Sequence, residues 1–194
     1  SISTFVEAKV VTGNVPTVAI TAPLGAVGVG TLLTGEQYEI LTVGTGANAT
    51  DFTTLGADDS NVGTIFTYDL EDGAVPAGTG TVGPVYAIGD MITIDVDADD
   101  ADGSVTSVEI FNGDVSLGTA SKVSETEYRL NLQTSLTDLG DLQLNARATD
   151  NSGNVSISTF VEAKVVTGNV PTVAITAPLG AVGVGTLLTG EQYE

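Results

Sequence analysis

The first 39 residues of this 194-residue chain recur, letter for letter, as its last 39. Residues 1–39 and 156–194 are identical, at an offset of 155 positions. Independent divergence would leave differences between old duplicates, so the chain is a little over one unit of a nearly uniform tandem array. A unit of 155 residues is long enough to bury a hydrophobic core of its own.

The repeat also predicts the domain boundaries. Residues 1–11 are expected to be the last strand of a preceding repeat, because the same letters end the complete one. Residues 12–166 are then one complete repeat, and residues 167–194 begin the next, truncated one. The stretch "VTGNVPTV" is the expected junction in both copies.

Composition excludes several classes of function. The chain carries 25 acidic and 5 basic residues, a formal net charge of −20. Such a surface repels nucleic acid and anionic lipid and attracts cations, calcium above all. Cysteine and histidine are absent, which removes disulfides, the usual zinc ligands and histidine-based catalysis. We therefore expect no enzyme, no nucleic-acid partner and no membrane insertion in this segment.

Hydrophobic alternation with a period of two predicts six or seven β-strands. In "MITIDVDAD", Ile92, Ile94 and Val96 share one face, and Asp95 and Asp97 the other. Alternating strands separated by turn residues are typical of an antiparallel β-sandwich. The expected strands are 15–23, 91–99, 104–118 with a turn at 112–114, 126–134, 141–150 and 156–166. In the last of these, we expect Ile157, Thr159, Val161, Ala163 and Val165 to face inward.

Three stretches carry a family resemblance: "PTVAITAPLGA", "AIGDMITIDVDADDADGSVTSVEIFNGDVSLGT" and "LQLNARATDNSGNVS". They resemble the bacterial immunoglobulin-like tandem repeats of giant surface proteins and adhesins. The resemblance implies an all-β fold, an Ig-like antiparallel β-sandwich in a tandem array. Joining residue 27 to residue 86 restores the family pattern, so about 31–84 is predicted to be a small β-rich lobe inserted in the A–B connection.

The insertion is similar to a β module of phage structural proteins and marine bacterial surface proteins. The stretches that carry this similarity are 38–44, 50–57, 61–66 and 78–82. We expect a hairpin-rich lobe at the end of the sandwich opposite the acidic loops. It would pack against the following junction, 166–173. Its expected core is Ile40, Phe52, Leu55, Ile65 and Phe66.

The stretch "DVDADDADGS" (95–104) is the sharpest chemical signal, with five aspartates in eight residues. A divalent cation would relieve their repulsion, and carboxylate oxygens suit calcium. In an Ig-like sandwich the B–C and F–G loops share one end, which the entering linker also reaches. The predicted calcium ligands are Asp99, Asp100, Asp102, Asp150, Asn151 and Asn14. The alternative is that these side chains only make Asx turns.

The leading hypothesis is a structural repeat of a long extracellular surface protein or filament, an extender whose junctions calcium stiffens. Near-identical copies suit a task in which length matters. Its partners would be neighbouring repeats of the same protein, with self-association into filaments also open. Two alternatives remain: a glycan- or surface-binding module carried by the inserted lobe, and a self-assembling filament or phage fibre subunit.

Overall fold

A computed structural model describes residues 13–69 and 76–168 of the chain. Within those ranges the fold consists of strands and short 3₁₀ turns. The turns are Val29–Thr31, Gly46–Asn48, Phe52–Leu55 and Leu136–Asp138. The strands are β1 (Thr17–Ala22), β2 (Val27–Gly28), β3 (Gln37–Thr42), β4 (Ile65–Thr67), β5 (Thr81–Ala87), β6 (Met91–Asp99), β7 (Val105–Asn112), β8 (Val115–Thr119), β9 (Ser121–Lys122), β10 (Glu127–Gln133), β11 (Gly140–Asp150), β12 (Val155–Ile157) and β13 (Val161–Val166).

Two sheets pack face to face as a sandwich, which confirms the predicted all-β class. One sheet has the order β1-β6-β10-β9, and the other β4-β3-β5-β13-β11-β7-β8, with β12 paired to β11 and β2 to β5. The alternation in β6 points Ile92, Ile94 and Val96 into the core, as predicted. The buried core between the sheets is Ile92, Ile94, Val96, Ala98, Val108, Ile110, Ala120, Tyr128, Leu142, Leu144, Ala146, Ala148, Ala163 and Val165.

The predicted last strand is interrupted at Ser158, a buried residue. The Ser158 hydroxyl accepts a hydrogen bond from the Ala146 N–H and donates one to the Thr159 carbonyl. Because the polar Ser158 side chain faces inward, the inward-outward alternation of the side chains shifts by one residue at this point. Ile157 is therefore 59% exposed. The prediction that Ile157 and Thr159 face inward is therefore wrong. The rest of the prediction holds, because Ala163 and Val165 are buried in the core and the partly buried Val161 packs against it.

Strand β5 pairs with one strand of the inserted region and with one strand of the sandwich. Its first half pairs antiparallel with β3, and its second half runs parallel to β13, with Val85 opposite Lys164 and Ala87 opposite Val166. This parallel pair is an exception to the predicted antiparallel pattern. We call the described residues 27–69 and 76–84 the lobe. Because β5 is continuous, the lobe strands β3 and β4 extend the sheet of the sandwich.

The lobe has its own hydrophobic core, built around Phe52, which is fully buried. The Phe66 ring packs edge-on against the Phe52 ring, with centroids 5.8 Å apart. Ile65 is 39% exposed, so its predicted core position is wrong: alternation along β4 turns Phe66 inward and Ile65 outward. The other predicted members are buried. The complete core is Val29, Tyr38, Ile40, Phe52, Leu55, Ala57, Phe66, Tyr68 and Val82.

The last described residues of the chain lie beside residues 35–37 of the lobe. The Ile88 N–H donates to the Val166 carbonyl at 2.9 Å, and two residues later Gly168 lies against Ala87. Gly168 lines a cavity of about 290 Å³ together with Glu36 and other residues of the lobe. We call this region, residues 35–37, 67, 85–90 and 167–168, the exit end. The remainder of the predicted junction, 169–173, lies outside the described residues, as do residues 1–12.

Candidate cation site at the acidic end

The opposite end of the sandwich is formed by two loops and the entering linker. We call it the acidic end: residues 100–104, residues 150–154 and linker residues 13–14. Asp150 organises the second loop, because its Oδ1 accepts hydrogen bonds from the Ser152 N–H at 2.7 Å and the Asn154 N–H at 2.8 Å. This is the Asx-type turn expected of an aspartate that ends a strand.

Hydrogen bonds hold the entering linker to both loops. The Asn14 N–H donates to Oδ1 and Oδ2 of Asp102, at 3.0 and 3.1 Å. From the other loop, the Asn154 side-chain amide donates to the carbonyls of Gly13 and Asn14, at 3.3 and 3.4 Å. The same amide donates to Asp150 Oδ2 at 2.8 Å. Linker and loops therefore form one connected network.

Asp100 is the unusual member of the acidic end. Only 8% of its surface is exposed, and its Oδ1 has no hydrogen-bond partner. Burial, together with the neighbouring carboxylates of Asp102 and Asp150, raises its pKa above the ordinary aspartate value. A buried oxygen without a partner is costly, and such a group calls for an explanation.

The first loop also packs tightly against the second. The Asn151 Oδ1 accepts a hydrogen bond from the Ser104 N–H at 3.0 Å. A Cβ placed on Gly103 would collide with this oxygen and would lie 2.5 Å from Asp100 Oδ2. Glycine at position 103 therefore lets two side-chain oxygens from different loops converge on one point of the backbone.

The ionisation of Asp150 is favoured despite its surroundings. Its burial opposes the charged form, but hydrogen bonds from the Asn154 side chain and from the backbone N–H groups of Asn154, Ser152 and Gly153 outweigh that effect. The pKa of Asp150 is accordingly lowered. Asp150 thus carries a negative charge close to the buried carboxyl of Asp100.

The structure brings most of the predicted ligands to the acidic end. Asp99 is the exception in geometry: it ends β6 with an exposed side chain, and its carbonyl accepts a hydrogen bond from the Thr17 hydroxyl. Within residues 13–69 and 76–168, no group of three or more His, Cys, Asp or Glu side chains is arranged to hold a metal ion. Calcium binding therefore stays a prediction. The predicted ligands that meet at the acidic end are Asp100, Asp102, Asp150, Asn151 and the backbone of Asn14.

Two residues that shape this end were not predicted as site residues. Asn154 links the linker to Asp150, and Ser152 lies 3.1 Å from the position that a Cβ on Gly13 would occupy. Both residues belong to the stretch "TDNSGN". The turn-forming residue types after Asp150 were the sequence feature that could have identified them as part of this end. Sequence alone could not place them against residues 13–14, which lie about 140 positions earlier.

A second concave region lies between the lobe and the sandwich. Its volume is about 310 Å³, and Lys164 in its wall makes ion pairs with Glu39 of the lobe and Asp141 of the sandwich. No aromatic residue lines it. The aromatic side chains of the described part of the lobe are all buried, at 7% exposure or less: Tyr38, Phe52, Phe66 and Tyr68.

The fold and the acidic end together define an all-β, immunoglobulin-like sandwich module with an added lobe. The chain is similar to the fibronectin(III)-like modules of Clostridium thermocellum CbhA, at 20% identity and a TM-score of 0.37, over 44% of this chain and 88% of that one. It is also similar to an engineered protein solved at 1.98 Å, at 16% identity and a TM-score of 0.31, over 42% and 17% of the two chains. No protein-family model and no curated protein matches the chain. In the described part of the chain, no helix is long and apolar enough to cross a membrane.

Proposed function

We propose that the chain is a structural repeat of a long extracellular surface protein or filament, whose junctions are held by calcium. The observation that carries the proposal is the anchoring of the entering linker: the Asn14 N–H is bound by Asp102, and the Gly13 carbonyl by Asn154. A linker bonded to the loops of its own sandwich transmits the orientation of one repeat to the next. Identical consecutive copies then repeat one junction geometry along the whole array.

The donor set at the acidic end fits calcium. Carboxylate and amide oxygens are its preferred ligands, and the unpartnered Oδ1 of Asp100 offers one directly. Asp150 Oδ1 already accepts two hydrogen bonds. Oδ2 of Asp150, Oδ1 of Asn151 and both carboxylate oxygens of Asp102 each accept one, so a second lone pair remains on each of them for a cation. Calcium bound here would neutralise the carboxylates and connect both loops to the linker.

The basic residues within 13–69 and 76–168 make no ion pair at this end. None of the ion pairs in the described ranges involves Asp100, Asp102 or Asp150. A net charge of −20 is sustained most easily in saline, calcium-rich surroundings, which is the basis for the extracellular assignment. The described basic side chains contact other groups: Arg129 with Asp95, Arg147 with Asp114 and Phe111, Lys164 with Glu39 and Asp141, and Lys122 with Tyr128.

Small-angle X-ray scattering on a chain of three repeats, in calcium and then in excess chelator, tests the proposal. A long monomeric particle that shortens or softens in chelator is the expected result. A monomer with the same dimensions in calcium and in chelator would contradict the role of calcium in the proposal. Forward scattering far above the monomer mass would replace the single-chain extender with the self-assembling filament.

The glycan-binding alternative has less support. Sugar sites use exposed aromatic faces for stacking, and Tyr38, Phe52, Phe66 and Tyr68 are instead packed in the lobe core. Deleting residues 31–84 separates the two roles. If the lobe serves the junction, the shortened repeat keeps its sandwich core while the array loses stiffness. Unchanged stiffness of the array would contradict a junction role for the lobe.

A further inference from the structure

One side of the sandwich carries no charged residue. The chain has a formal net charge of −20, yet residues 13–35 and 151–161 contain no Asp, Glu, Lys or Arg. These two segments include the edge strand β1 and the short strand β12. We call residues 15–25 and 155–161 the neutral side. In a chain with 25 acidic residues, a side without charge calls for an explanation.

The two segments of the neutral side lie next to each other along the sandwich. Just before they begin, the Asn154 side-chain amide donates to the Gly13 carbonyl at 3.3 Å. Where they end, a Cβ placed on Gly25 would lie 3.6 Å from Val161 Cγ1. Between these points β1 contacts β12. The two segments therefore form one continuous surface.

Large apolar side chains are exposed along the neutral side. They are Val15, Leu24, Val155, Ile157 and Phe160. Single exposed apolar residues are ordinary on a protein surface. A contiguous group of them on a surface without charge is instead the mark of an interaction site.

The neutral side also contains two strands with a free edge. In the described chain, β1 pairs only with β6, and β12 only with β11. Proteins commonly block such edges with charged side chains or proline, because a free edge can pair with another chain. The stretch Thr17–Ile20 of β1 carries neither, and its register with β6 is regular. Its outer edge is therefore open to a further strand.

The edge formed by β8, in the larger sheet, is different. Val115 on this strand is also exposed. The Asp114 side chain beside it is fully exposed, and the Ser116 hydroxyl donates to the carboxylate of Glu109 on the neighbouring strand. Acidic side chains therefore flank this edge. An acidic partner would be repelled there, whereas the neutral side offers no such repulsion.

A second copy of the chain is the partner that this distribution of charge favours. Every copy is strongly acidic, so two copies repel each other least where their uncharged surfaces meet. The tandem repeat adds to this, because the sequences of 15–25 and 156–161 recur identically at an offset of 155 positions. A second array presents the same surface at the same interval, so that weak contacts add along the two chains.

We infer that the neutral side is a self-association surface, through which two copies of the chain pair side by side. A two-fold axis places the same residues of both copies against each other, which covers the exposed apolar side chains of each. Such a pair is closed, so its mass is limited to twice that of one chain. This limit distinguishes it from a self-assembling filament. The surface lies outside the acidic end and requires no calcium, so the inference goes beyond the proposed junction and does not depend on it.

Sedimentation equilibrium of the 194-residue chain over a concentration series, in calcium and in excess chelator, tests this surface. Ile157→Asp introduces a charge on the neutral side. Val115→Asp is the matched control, because it makes the same change in charge at an exposed apolar position on β8. Ala19→Asp, at an exposed position of β1, is a second variant that tests the other strand. Urea unfolding of each variant verifies that its fold is retained.

The wild-type chain should approach twice the monomer mass as its concentration rises, with or without calcium. Added salt should strengthen the pairing, because it screens the repulsion between acidic copies. Ile157→Asp and Ala19→Asp should each weaken pairing by about tenfold or more, and Val115→Asp by less than about twofold.

Three results would overturn the inference. They are a wild-type chain that stays monomeric throughout the series, equal weakening by Ile157→Asp and Val115→Asp, and pairing that occurs in calcium but not in chelator. Each of these results leaves the proposed calcium-held junction standing, because none of them measures the acidic end.

Discussion

The backbone N–H of Asn14 donates to both carboxylate oxygens of Asp102, across 88 positions of sequence. This contact joins the linker that enters the sandwich to the loop between β6 and β7. Because the donor is a backbone N–H, every substitution of Asn14 other than proline keeps it, and the contact depends on the acidic partner. The direction in which the linker enters the sandwich therefore depends on an acidic side chain of the loop, Asp102.

Substitution of Asp102 by alanine should release the linker. In chelator, hydrogen-exchange protection of the Asn14 amide is expected to fall by about tenfold, because a charge-assisted hydrogen bond is lost. Asp97→Ala is the matched control, since it removes the same charge from an exposed position on β6. Equal protection of Asn14 in the wild-type and Asp102→Ala chains would contradict the anchoring role of Asp102.

Phe52→Ala should affect the lobe far more than the sandwich. Removal of this fully buried ring is expected to cost about 3–5 kcal/mol of lobe stability. Hydrogen exchange should then show loss of protection at Ile40, in the lobe core, and retained protection at Ile110, in the sandwich core. Ile65→Ala, at a position 39% exposed, is the control with a small effect. Parallel loss at Ile40 and Ile110 would mean that the two cores unfold as one.

The ion pair of Lys164 with Glu39 should hold the lobe to the sandwich. Both side chains are mostly buried, at 23% and 16% exposure. A double-mutant cycle with Lys164→Met and Glu39→Gln, measured by urea unfolding, is expected to give a coupling of about 1–2 kcal/mol. Asp141→Asn serves as the control, because the Asp141 side chain is 81% exposed and its pairing with Lys164 should contribute little.

The same pair determines a dependence on alkaline pH. The hydrogen bond to Glu39 raises the pKa of Lys164 above its ordinary value of 10.5. A raised folded-state pKa stabilises the fold fully below the ordinary value, and this stabilisation is lost as the pH rises through the folded-state value. The coupling should therefore be constant at neutral pH and decline above about pH 10.5. A coupling that survives unchanged at higher pH would contradict the ion pair.

A second ion pair should act at acidic pH. The hydrogen bond from Arg129 lowers the pKa of Asp95 below its ordinary value of 3.8. This stabilisation is present above that value and is lost as the pH falls through the lower, folded-state pKa. Because the Arg129 and Asp95 side chains are 46% and 30% exposed, water screens the pair, and Asp95→Asn should change the unfolding constant by less than about fivefold at pH 7, and less still near pH 2. Asp97→Asn, at an exposed position on the same strand, is the control in urea unfolding.

Local patterns were sufficient to predict most of the sandwich. Alternation placed Ile92, Ile94 and Val96 in the core, and "NGD" placed the turn between β7 and β8. One error lies where a single polar contact overrides the pattern. Ser158 breaks the last strand because its hydroxyl binds the backbone of Ala146 in a neighbouring segment, a partner that no local pattern identifies.

The candidate site, too, was predicted from the sequence only in part. Acidity and turn chemistry predicted which residues gather at one end, including Asp100 and Asp102. The predicted set did not include Asn154, whose importance comes from contacts with a linker 140 positions away. The sequence analysis also did not predict the parallel pairing of β5 with β13, which makes the lobe an extension of the sandwich sheet.

By itself, the sequence determined the repeat length, the strand alternation and the concentration of negative charge, because these are properties of residue order and composition. The tertiary structure alone decided that Asp100 is buried with an unpartnered oxygen and that the exit end carries Glu36 and Asp90 beside Gly168. Burial and proximity across long separations follow from how the two sheets pack. No window of sequence contains both sides of such a contact.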